Sequence, residues 1–189
     1  MATQQRRERE RAQRETLIVT AAREMAETDG WPAVTIRRLA ERIEYSQPVL
    51  YSHFAGRGAI IDAVALQGIA ELTEVFRAAR AGAAPGGELA AVVQAYLDFS
   101  TAHPALFEAI FTLAEGLPFG ADAPETLKAA FAELFAVFAP LAGDRDPDAL
   151  TEVGWAAVHG LAALDRDGRL RPDLREQRMA VLLGLFAKD

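Results

Sequence analysis

The sequence predicts an all-α protein of about nine helices, and three observations support this prediction. Hydrophobic residues make up 51% of the 189-residue chain, with alanine abundant among them. They recur at spacings of three and four, whereas the period-two alternation typical of strands is scarce. Glycine and proline divide these periodic stretches. Helices of ~10–20 residues are therefore expected nearly throughout.

The first predicted helix is rich in arginine. It runs from Arg6 through Arg14 to about Thr28, where Asp29-Gly30 stops it. Trp31-Pro32 follows and separates this helix from the next segment.

Residues 35–54 form the most informative segment, because their pattern is typical of two short helices joined by a tight turn. Thr35 can cap the first of these helices. Apolar residues then recur at offsets of three, four and seven and give it one core-facing side: Ile36, Leu39, Ala40 and Ile43. The layout is that of a DNA-reading helix-turn-helix, although an unrelated αα-hairpin can have the same spacing.

The second helix of the pair presents a polar edge. Ser46 can cap it, and Gln47 and Pro48 occupy its opening turn, where the missing N–H of proline costs nothing. Leu50 and Phe54 are expected to face inward. The side chains expected to point outward carry hydrogen-bond donors, acceptors and a flat ring, and they are Gln47, Tyr51, Ser52 and His53. In an unrelated hairpin, Tyr51 and His53 would be merely half-exposed amphipathic residues.

Residues from about Glu15 to Leu66 resemble the DNA-binding domain of the TetR family, the tetracycline-repressor-like bacterial regulators. The matching residues are the Gly30-Trp31 break, Thr35-Ile36-Arg37 with Leu39-Ala40, Leu50-Tyr51-x-His53-Phe54, and Arg57 followed by Ala59-Ile60-Ile61. The run from Gln47 to Tyr51 is similar to the recognition helix of the founding repressor. The resemblance implies a sequence-specific DNA-binding regulator, with a helix-turn-helix head over residues 1–57 and a helical effector-binding and dimerisation body over residues 58–189.

In such a head, the polar residues divide into two kinds of DNA contact. Contacts to DNA phosphates are expected from Thr35, Arg37 or Arg38, and Arg57. Such contacts fix the orientation of the head on the duplex. Base edges in the major groove are expected to meet Gln47, Tyr51 and His53, joined by Tyr45 and Ser46. Pro48 and Ser52 complete the predicted DNA-binding set.

Two features depart from the family pattern. The family usually has a small residue or glycine and then an apolar residue in the turn, where this chain has Ile43-Glu44-Tyr45. The turn is therefore expected to be less tight, with Tyr45 reaching toward DNA. Gly56 and Gly58 flank Arg57 and are expected to loosen the link into the fourth helix. Family members pass ligand state to the DNA-binding heads through that link.

The formal net charge of −7 is unevenly distributed. Residues 1–57 hold ten arginines and eight acidic residues, against ten basic and nineteen acidic residues in the rest. Because attraction to phosphate fades over a Debye length of ~8 Å, a mildly basic head can bind DNA while an acidic body avoids it. Five arginines between residues 6 and 14 alternate with glutamates. They form either a solvated face of ion pairs or a frayed start that reaches a phosphate or the minor groove.

The middle of the body is where the family holds a small effector. Further helices are expected from Arg57 to about Arg80, Glu88 to Ser100, Pro104 to about Glu115 and Pro124 to Ala139. Aromatic residues gather there, either as plain core or as the wall of a cavity for an apolar effector. The candidate effector-binding residues are Tyr96, Phe99, Phe107, Phe111, Phe131, Phe135, Trp155 and His159, with Phe138 in the same stripe.

The eighth predicted helix contains Trp155-Ala-Ala-Val-His159-Gly160, which is similar to the Trp-His-Gly signature of one C-terminal subgroup of the family. Trp155 and His159 lie four residues apart on one helical face, so they can stack or share a pocket wall. Either His159 anchors a ligand, or it is a buried histidine satisfied by a carbonyl, with Gly160 allowing close helix packing. His103, just before Pro104, is interpreted as a capping or loop residue.

The last two predicted helices run from Pro147 to about Asp165 and from Pro172 to about Lys188. The stretch from Met179 to Ala187 is apolar nearly all round, so it is expected to pack on its own body and on a second subunit. One head contacts few base pairs, which favours two heads on a palindromic operator. The resemblance implies the same homodimer, through a four-helix bundle of the last two helices.

Other classes of protein receive little support. The chain has no cysteine, its three histidines are far apart, and it has no metal-binding spacing and no glycine-rich phosphate loop. No catalytic residue, metal or cofactor is therefore predicted, and the alternatives are a small-molecule enzyme or a helical interaction module without DNA binding. No apolar run is long enough for a membrane span or a signal peptide, so a cytoplasmic protein is expected.

Overall fold

The computed structural model describes residues 2–118 and 120–186, and the regular structure of these residues is helical, without a strand. Nine α-helices lie in this part of the chain: α1 (Ala2–Asp29), α2 (Ile36–Arg42), α3 (Gln47–His53), α4 (Arg57–Gly82), α5 (Glu88–Ala102), α6 (Pro104–Glu108), α7 (Glu125–Phe138), α8 (Pro147–Arg166) and α9 (Arg175–Phe186). The prediction of an all-α protein of about nine helices is confirmed.

Two compact units divide the chain. The first comprises Met1–Gly68 and His103–Ala123, and the second comprises Ile69–Ala102 and Pro124–Asp189. Helix α4 therefore begins in the first unit and ends in the second. The predicted boundary at residue 57 divides the chain by role, into a DNA-binding head and a body, whereas the two compact units are defined by contacts. That boundary stays a prediction.

In the first unit, α1, α2 and α3 pack on one another. The core of this unit includes Ile18 of α1, Leu39 of α2 and Leu50 of α3, whose side chains are fully buried. Leu39 and Leu50 occupy apolar positions that the helical periodicity indicated.

The exposed start of α1 is helical from Ala2, so the frayed start considered for its arginines is not found. Ion pairs between residues four apart run along this stretch. Arg6 lies 3.4 Å from Glu10, and Arg11 lies 2.9 Å from Glu15. This part of α1 makes its own i,i+4 contacts while its side chains face solvent.

Helix α6 is shorter than the helix predicted from Pro104 to about Glu115. It ends at Glu108 and continues as one π turn over Ala109–Leu113. The N–H of Ala114 donates to the carbonyl of Ala109 at 3.0 Å, which is the i to i+5 bond of a widened turn. The predicted end was therefore wrong, because the backbone leaves the α-helical pattern after one turn.

Gly68 of α4 makes room for this segment. A Cβ at Gly68 would lie 2.5 Å from Leu106 Cδ1 and 2.9 Å from Ile110 Cδ1. No side chain can occupy position 68 without displacing those two buried residues.

In the second unit, α8 packs on α5, α7 and α9. A Cβ at Gly154 would lie 2.5 Å from Phe138 Cζ, and Phe138 packs edge-on against Phe186 of α9 at 5.1 Å between ring centroids. A Cβ at Gly160, by contrast, would meet nothing within 4 Å. The expectation that Gly160 allows close packing within the chain is wrong, since Gly154 is the glycine that has this role.

A nearly buried carboxylate joins α4 to α7 within the second unit. Glu133 of α7 accepts from Arg80 Nη2 at 2.8 Å and from Arg77 Nε at 3.2 Å. A carboxylate that has lost most of its hydration needs such charged partners to offset the cost of burial. The cluster therefore fixes α7 against the end of α4.

The last helix begins later than predicted. Pro172–Leu174 form a 3-10 turn, and α9 follows over Arg175–Phe186. The predicted end near Lys188 lies outside the described residues.

Candidate nucleic-acid interface

The start of α2 has the capping geometry that the sequence predicted. Thr35 occupies the N-cap position with extended backbone, and its Oγ1 accepts the Arg38 N–H at 3.2 Å. Such a cap satisfies one of the backbone donors that the first turn of a helix leaves unpaired.

The two arginines that follow differ in their surroundings. Arg37 is 78% exposed and pairs with its helical neighbour Glu41, at 2.9 Å. Arg38 is tied to the end of α1, because its Nη2 lies 3.0 Å from Asp29 Oδ2 and its Nη1 donates to the Ala33 carbonyl. Of the two alternatives left open by the sequence, Arg37 is the more accessible candidate for a phosphate contact, and that contact stays a prediction.

The turn between α2 and α3 is tighter than expected. The N–H of Tyr45 donates to the Ala40 carbonyl at 3.0 Å, and the N–H of Glu44 donates to the Glu41 carbonyl at 3.4 Å. This pair of bonds is the Schellman arrangement, whose penultimate residue adopts positive φ. Glu44 supplies it with φ of 58°, a conformation that glycine adopts more readily. The expectation of a looser turn is corrected, since the chain accepts backbone strain at Glu44 instead.

Replacing Glu44 by glycine is expected to raise the free energy of unfolding by about 1 kcal/mol, because a left-handed conformation costs an L-residue roughly 1–2 kcal/mol. Urea denaturation followed by circular dichroism measures the change. The control is Glu41→Gly, which places the same residue inside α2 and should destabilise by about 1 kcal/mol. Equal destabilisation by both changes would show that Glu44 is not strained.

The apolar side of α3 faces the core and its polar side faces solvent, as predicted. Leu50 is fully buried, whereas Gln47, Pro48 and Ser52 are exposed and Tyr51 is 56% exposed. The Ser52 hydroxyl donates to the Val49 carbonyl at 2.7 Å. An amide and a phenol thus stand side by side on the solvent face of a short helix.

The residues before α3 extend this surface. Ser46 occupies the N-cap position, but its hydroxyl makes no capping bond, so the predicted side-chain cap is wrong. Its neighbour Tyr45 is 37% exposed. Both side chains border the exposed edge of α3.

His53 does not belong to the outward set. Its side chain is only 7% exposed, and its Nδ1 lies 3.3 Å from Glu15 Oε1. The guanidinium of Arg11, and then His53, lower the pKa of Glu15. The prediction of an outward His53 at base edges was wrong, because His53 lies three residues after Leu50 and shares its inward face.

Arg57 closes the link into α4. Its Nε donates to the Val34 carbonyl at 2.8 Å, and its Nη2 donates to the Trp31 carbonyl at 2.9 Å. These bonds hold the start of α4 to the segment after α1, so the looser link expected from Gly56 and Gly58 is not found. The predicted phosphate contact of Arg57 is untested, and two of its N–H groups are committed within the chain.

Two contacts that the sequence did not predict join α6 to α1 and the following turn. The Glu27 carboxylate accepts the N–H groups of Ala105 and Leu106 at 3.2 and 3.1 Å. The indole N–H of Trp31 donates to the Ala105 carbonyl at 2.7 Å. Glu27 and Trp31 are far from α6 in sequence, so no local pattern indicates these bonds.

The predicted effector residues fall in both compact units. Phe107 and Phe111 belong to the first unit, with ring centroids 4.5 Å apart. The second unit contains Tyr96, Phe99, Phe131, Phe135, Trp155 and His159. Whether any of these side chains binds an effector stays a prediction.

Three of these side chains form a hydrogen-bonded chain in the second unit. The Tyr96 hydroxyl lies 2.8 Å from His159 Nδ1, and the Trp155 side chain also hydrogen-bonds this phenol. An indole N–H can only donate, so the Tyr96 oxygen accepts from Trp155. Which partner donates between the Tyr96 hydroxyl and His159 Nδ1 depends on the tautomer of the imidazole. A tyrosine hydroxyl thus takes the place of the carbonyl partner considered for His159.

Burial, and then the positive charge of Arg166, lower the pKa of His159. The unfolded chain therefore binds a proton at this site more readily than the folded chain does. Stability from this site is complete above about pH 6.5 and is lost as the pH falls through the folded-state pKa. We expect the wild-type chain to lose more unfolding free energy between pH 7.5 and 5.5 than His159→Gln, measured by urea denaturation. An equal loss in both chains would contradict the neutral histidine.

Two clefts are lined by other residues. One of about 460 Å³ lies in the first unit and is bordered by polar side chains that include Arg23, Glu24 and Glu27. The other, in the second unit, has only about 20 Å³ and includes Leu97, Leu161 and Leu182 in its wall. The second has room for little more than a water molecule.

Among residues 2–118 and 120–186, no group of three or more histidine or carboxylate side chains is placed to hold a metal ion. None of the helices in the same part of the chain is long and apolar enough to cross a membrane.

A capped helix, a closed turn and a short helix with an exposed amide and phenol define a helix-turn-helix DNA-binding protein. The profile described as "Bacterial regulatory proteins, tetR family" matches residues 18–64, and the profile "Tetracyclin repressor-like, C-terminal domain" matches residues 89–184. The chain belongs to the TetR family of transcriptional regulators. The Trp-His-Gly subgroup is not confirmed by these matches and stays a prediction.

Two proteins of similar sequence are named as a transcriptional regulator and a repressor, and a third protein has a similar fold. The HTH-type transcriptional regulator Rv0681 of Mycobacterium tuberculosis is 29% identical over 156 residues, which are 80% of this chain and 69% of that protein. The tetracycline repressor protein class C of Escherichia coli is 47% identical over 53 residues, 28% of this chain and 24% of that protein. A protein of unknown function from Rhodococcus sp. RHA1 has a similar structure, with a TM-score of 0.73, 25% identity and coverage of 91% and 92% of the two chains.

Proposed function

We propose that the chain is a ligand-responsive repressor that binds a palindromic operator as a homodimer and is released by a small apolar effector. A DNA-binding head over residues 1–57 and an effector-binding and dimerisation body over residues 58–189 carry the two activities. The cytoplasm is the proposed compartment, since the regulator acts where the DNA is.

Base recognition is assigned to α3 and rests on one observation, the joint exposure of Gln47 and Tyr51 beside the closed turn. A side-chain amide can bond adenine through two edge atoms, and a phenol can donate or accept. Ser46 and Tyr45 border the same surface. Thr35 and Arg37 at the start of α2 are assigned to phosphates, which set the orientation of α3 in the groove.

The proposed dimer face lies on α8 and α9. Large apolar side chains are exposed there at helical spacing: Val153 and Leu164 on α8, and Val181 and Leu185 on α9. A Cβ at Gly160 or at Gly184 would meet nothing within 4 Å in the single chain. Exposed apolar residues beside bare glycines suit the close approach of helices from a second copy, which removes that apolar surface from water.

The proposed effector site lies in the second unit around Tyr96, Trp155 and His159. The hydrogen bond to Tyr96 orients the imidazole of His159, which gives an apolar wall one polar group, the usual composition of a small-molecule site. Phe131 and Phe135, both half-buried on α7, are the proposed apolar contacts.

Footprinting on the intergenic DNA beside the coding region tests the proposal. A palindromic protected site that disappears when a small aromatic or aliphatic compound is added supports a ligand-released repressor. Protection that no compound in such a panel changes would contradict release by an apolar effector, while leaving DNA binding intact.

A further inference from the structure

The first turns of α1 form a strongly basic surface that the helix-turn-helix does not use. Residues 4–14 hold five arginines and two glutamates, and nearly all of their side chains are exposed. The first fully buried side chain of α1 is that of Ile18. This stretch is helical without packing on a core.

Helical spacing shows which side of α1 each arginine occupies. The buried face of α1 includes Ile18, Ala22 and Met25. Arg14, Arg11 and Arg7 precede Ile18 by four, seven and eleven residues, so they continue that face toward the helix start. Arg6 and Arg9 lie on the opposite side, since each residue rotates the helix by about 100°. The side of α1 that faces the other helices of the first unit therefore carries Arg7, Arg11 and Arg14.

The contact between His53 and Glu15 locates the end of α3 on α1. Residues 4–14 precede Glu15 and extend past this contact by roughly 15 Å, at about 1.5 Å per residue. The basic face thus projects beyond the C-terminal end of α3, on the side where α3 lies.

Arginines on this stretch differ in their partners. Arg11 pairs with Glu15 and Arg6 with Glu10. Arg7 and Arg14 are exposed, and neither has an ion pair or side-chain hydrogen bond to another residue of the ranges 4–118 and 120–186. Two guanidinium groups on the face nearest α3 therefore have no carboxylate partner among those residues.

We propose that Arg7 and Arg14 bind backbone phosphates of the operator next to the base pairs that α3 contacts. Charge complementarity and the position beyond α3 select duplex DNA as the partner. Phosphate contacts of this kind add affinity and salt dependence without sequence preference. The inference rests on the proposed role of α3 and adds a second DNA-binding segment to it.

The test compares two double variants of the full chain, Arg7→Gln/Arg14→Gln and Arg6→Gln/Arg9→Gln. Both remove two positive charges from the same helix, and glutamine keeps the helix propensity of arginine. The probe is a labelled duplex enriched from a random-sequence pool by the wild-type chain. Its dissociation constant is measured from 50 to 200 mM KCl, with circular dichroism as the check on folding.

Each protomer of the proposed homodimer would lose two phosphate contacts, so the salt slope should fall by about 3.6 and the wild type should lose roughly 150-fold more affinity than Arg7→Gln/Arg14→Gln over this salt range. The opposite-face control should keep most of the wild-type slope, and both variants should keep the wild-type preference for the selected duplex over a scrambled one. Equal slopes for the two variants would overturn the inference. If Gln47→Ala still relaxes base preference in that case, α3 keeps its proposed role, whereas a wild-type chain that enriches no sequence overturns both.

Discussion

Replacing Val181 and Leu185 by glutamate is expected to convert a dimer into a monomer that has lost about 100-fold or more of its affinity for the operator. Joining two heads makes the second binding event intramolecular, and the gain in affinity from this effect is about 10²- to 10⁴-fold. The two side chains are 66% and 67% exposed in the single chain, so their replacement should leave its fold intact. In the proposed dimer they are buried, and two carboxylates there would be unpaired and desolvated.

Sedimentation equilibrium measures the oligomeric state, and a binding titration on the selected duplex measures affinity. The matched control is Ala78→Glu/Ala132→Glu, which adds the same charge at exposed positions of α4 and α7. The control should remain a dimer with wild-type affinity. A Val181→Glu/Leu185→Glu chain that still dimerises would exclude this face of α9 as the interface.

Gln47→Ala is expected to lower discrimination between the selected duplex and single-base variants at the position that Gln47 contacts. A bidentate amide–base contact contributes about 1–3 kcal/mol of discrimination, which corresponds to roughly 5- to 150-fold. Since Gln47 is exposed and its side chain does not support the core, the unfolding free energy should not change. Titrations against every single-base variant of one half-site identify the position that has lost its preference.

The control for this experiment is Arg37→Gln. Because Arg37 is assigned to a phosphate in each of the two heads, its loss should weaken all duplexes alike and reduce the salt slope by about 2. Sequence-independent losses from both substitutions would remove Gln47 from base recognition.

Local patterns in the sequence predicted the helix-turn-helix well. Thr35 caps α2, Leu50 is buried, and Gln47 and Tyr51 are exposed, because each outcome depends on residues within one or two turns. Helical spacing also explains why His53 faces inward, since it lies three residues after Leu50 and shares its face.

Contacts between segments distant in sequence could not be predicted. Arg57 bonds the Val34 and Trp31 carbonyls, and Glu27 accepts from the start of α6. An arginine at the start of a helix has the same sequence pattern whether its side chain binds a DNA phosphate or a backbone carbonyl of its own chain. The strained Glu44 was missed for a related reason, since the closing bonds of the turn override the poor fit of a glutamate to positive φ.

In the helical body, amino-acid composition does not determine the role of the aromatic residues. Its aromatic residues are predicted equally by a packed core and by a cavity wall, and their separation between two compact units follows from tertiary contacts alone. The spacing of Trp155 and His159 put both residues on one face of α8, but the partner that both contact, Tyr96, lies on α5, more than fifty residues earlier.

The central claim is that the exposed edge of α3 lies in the major groove, and photo-crosslinking from position 51 tests it most directly. With p-benzoylphenylalanine in place of Tyr51, irradiation of the complex with the selected duplex should crosslink bases within each half-site. The same photoreactive residue at the exposed Ala132 of α7 serves as the control and should give no DNA adduct. Base adducts from position 51 alone would agree with this account, and the absence of adducts from position 51 in a complex that still binds the duplex would contradict it.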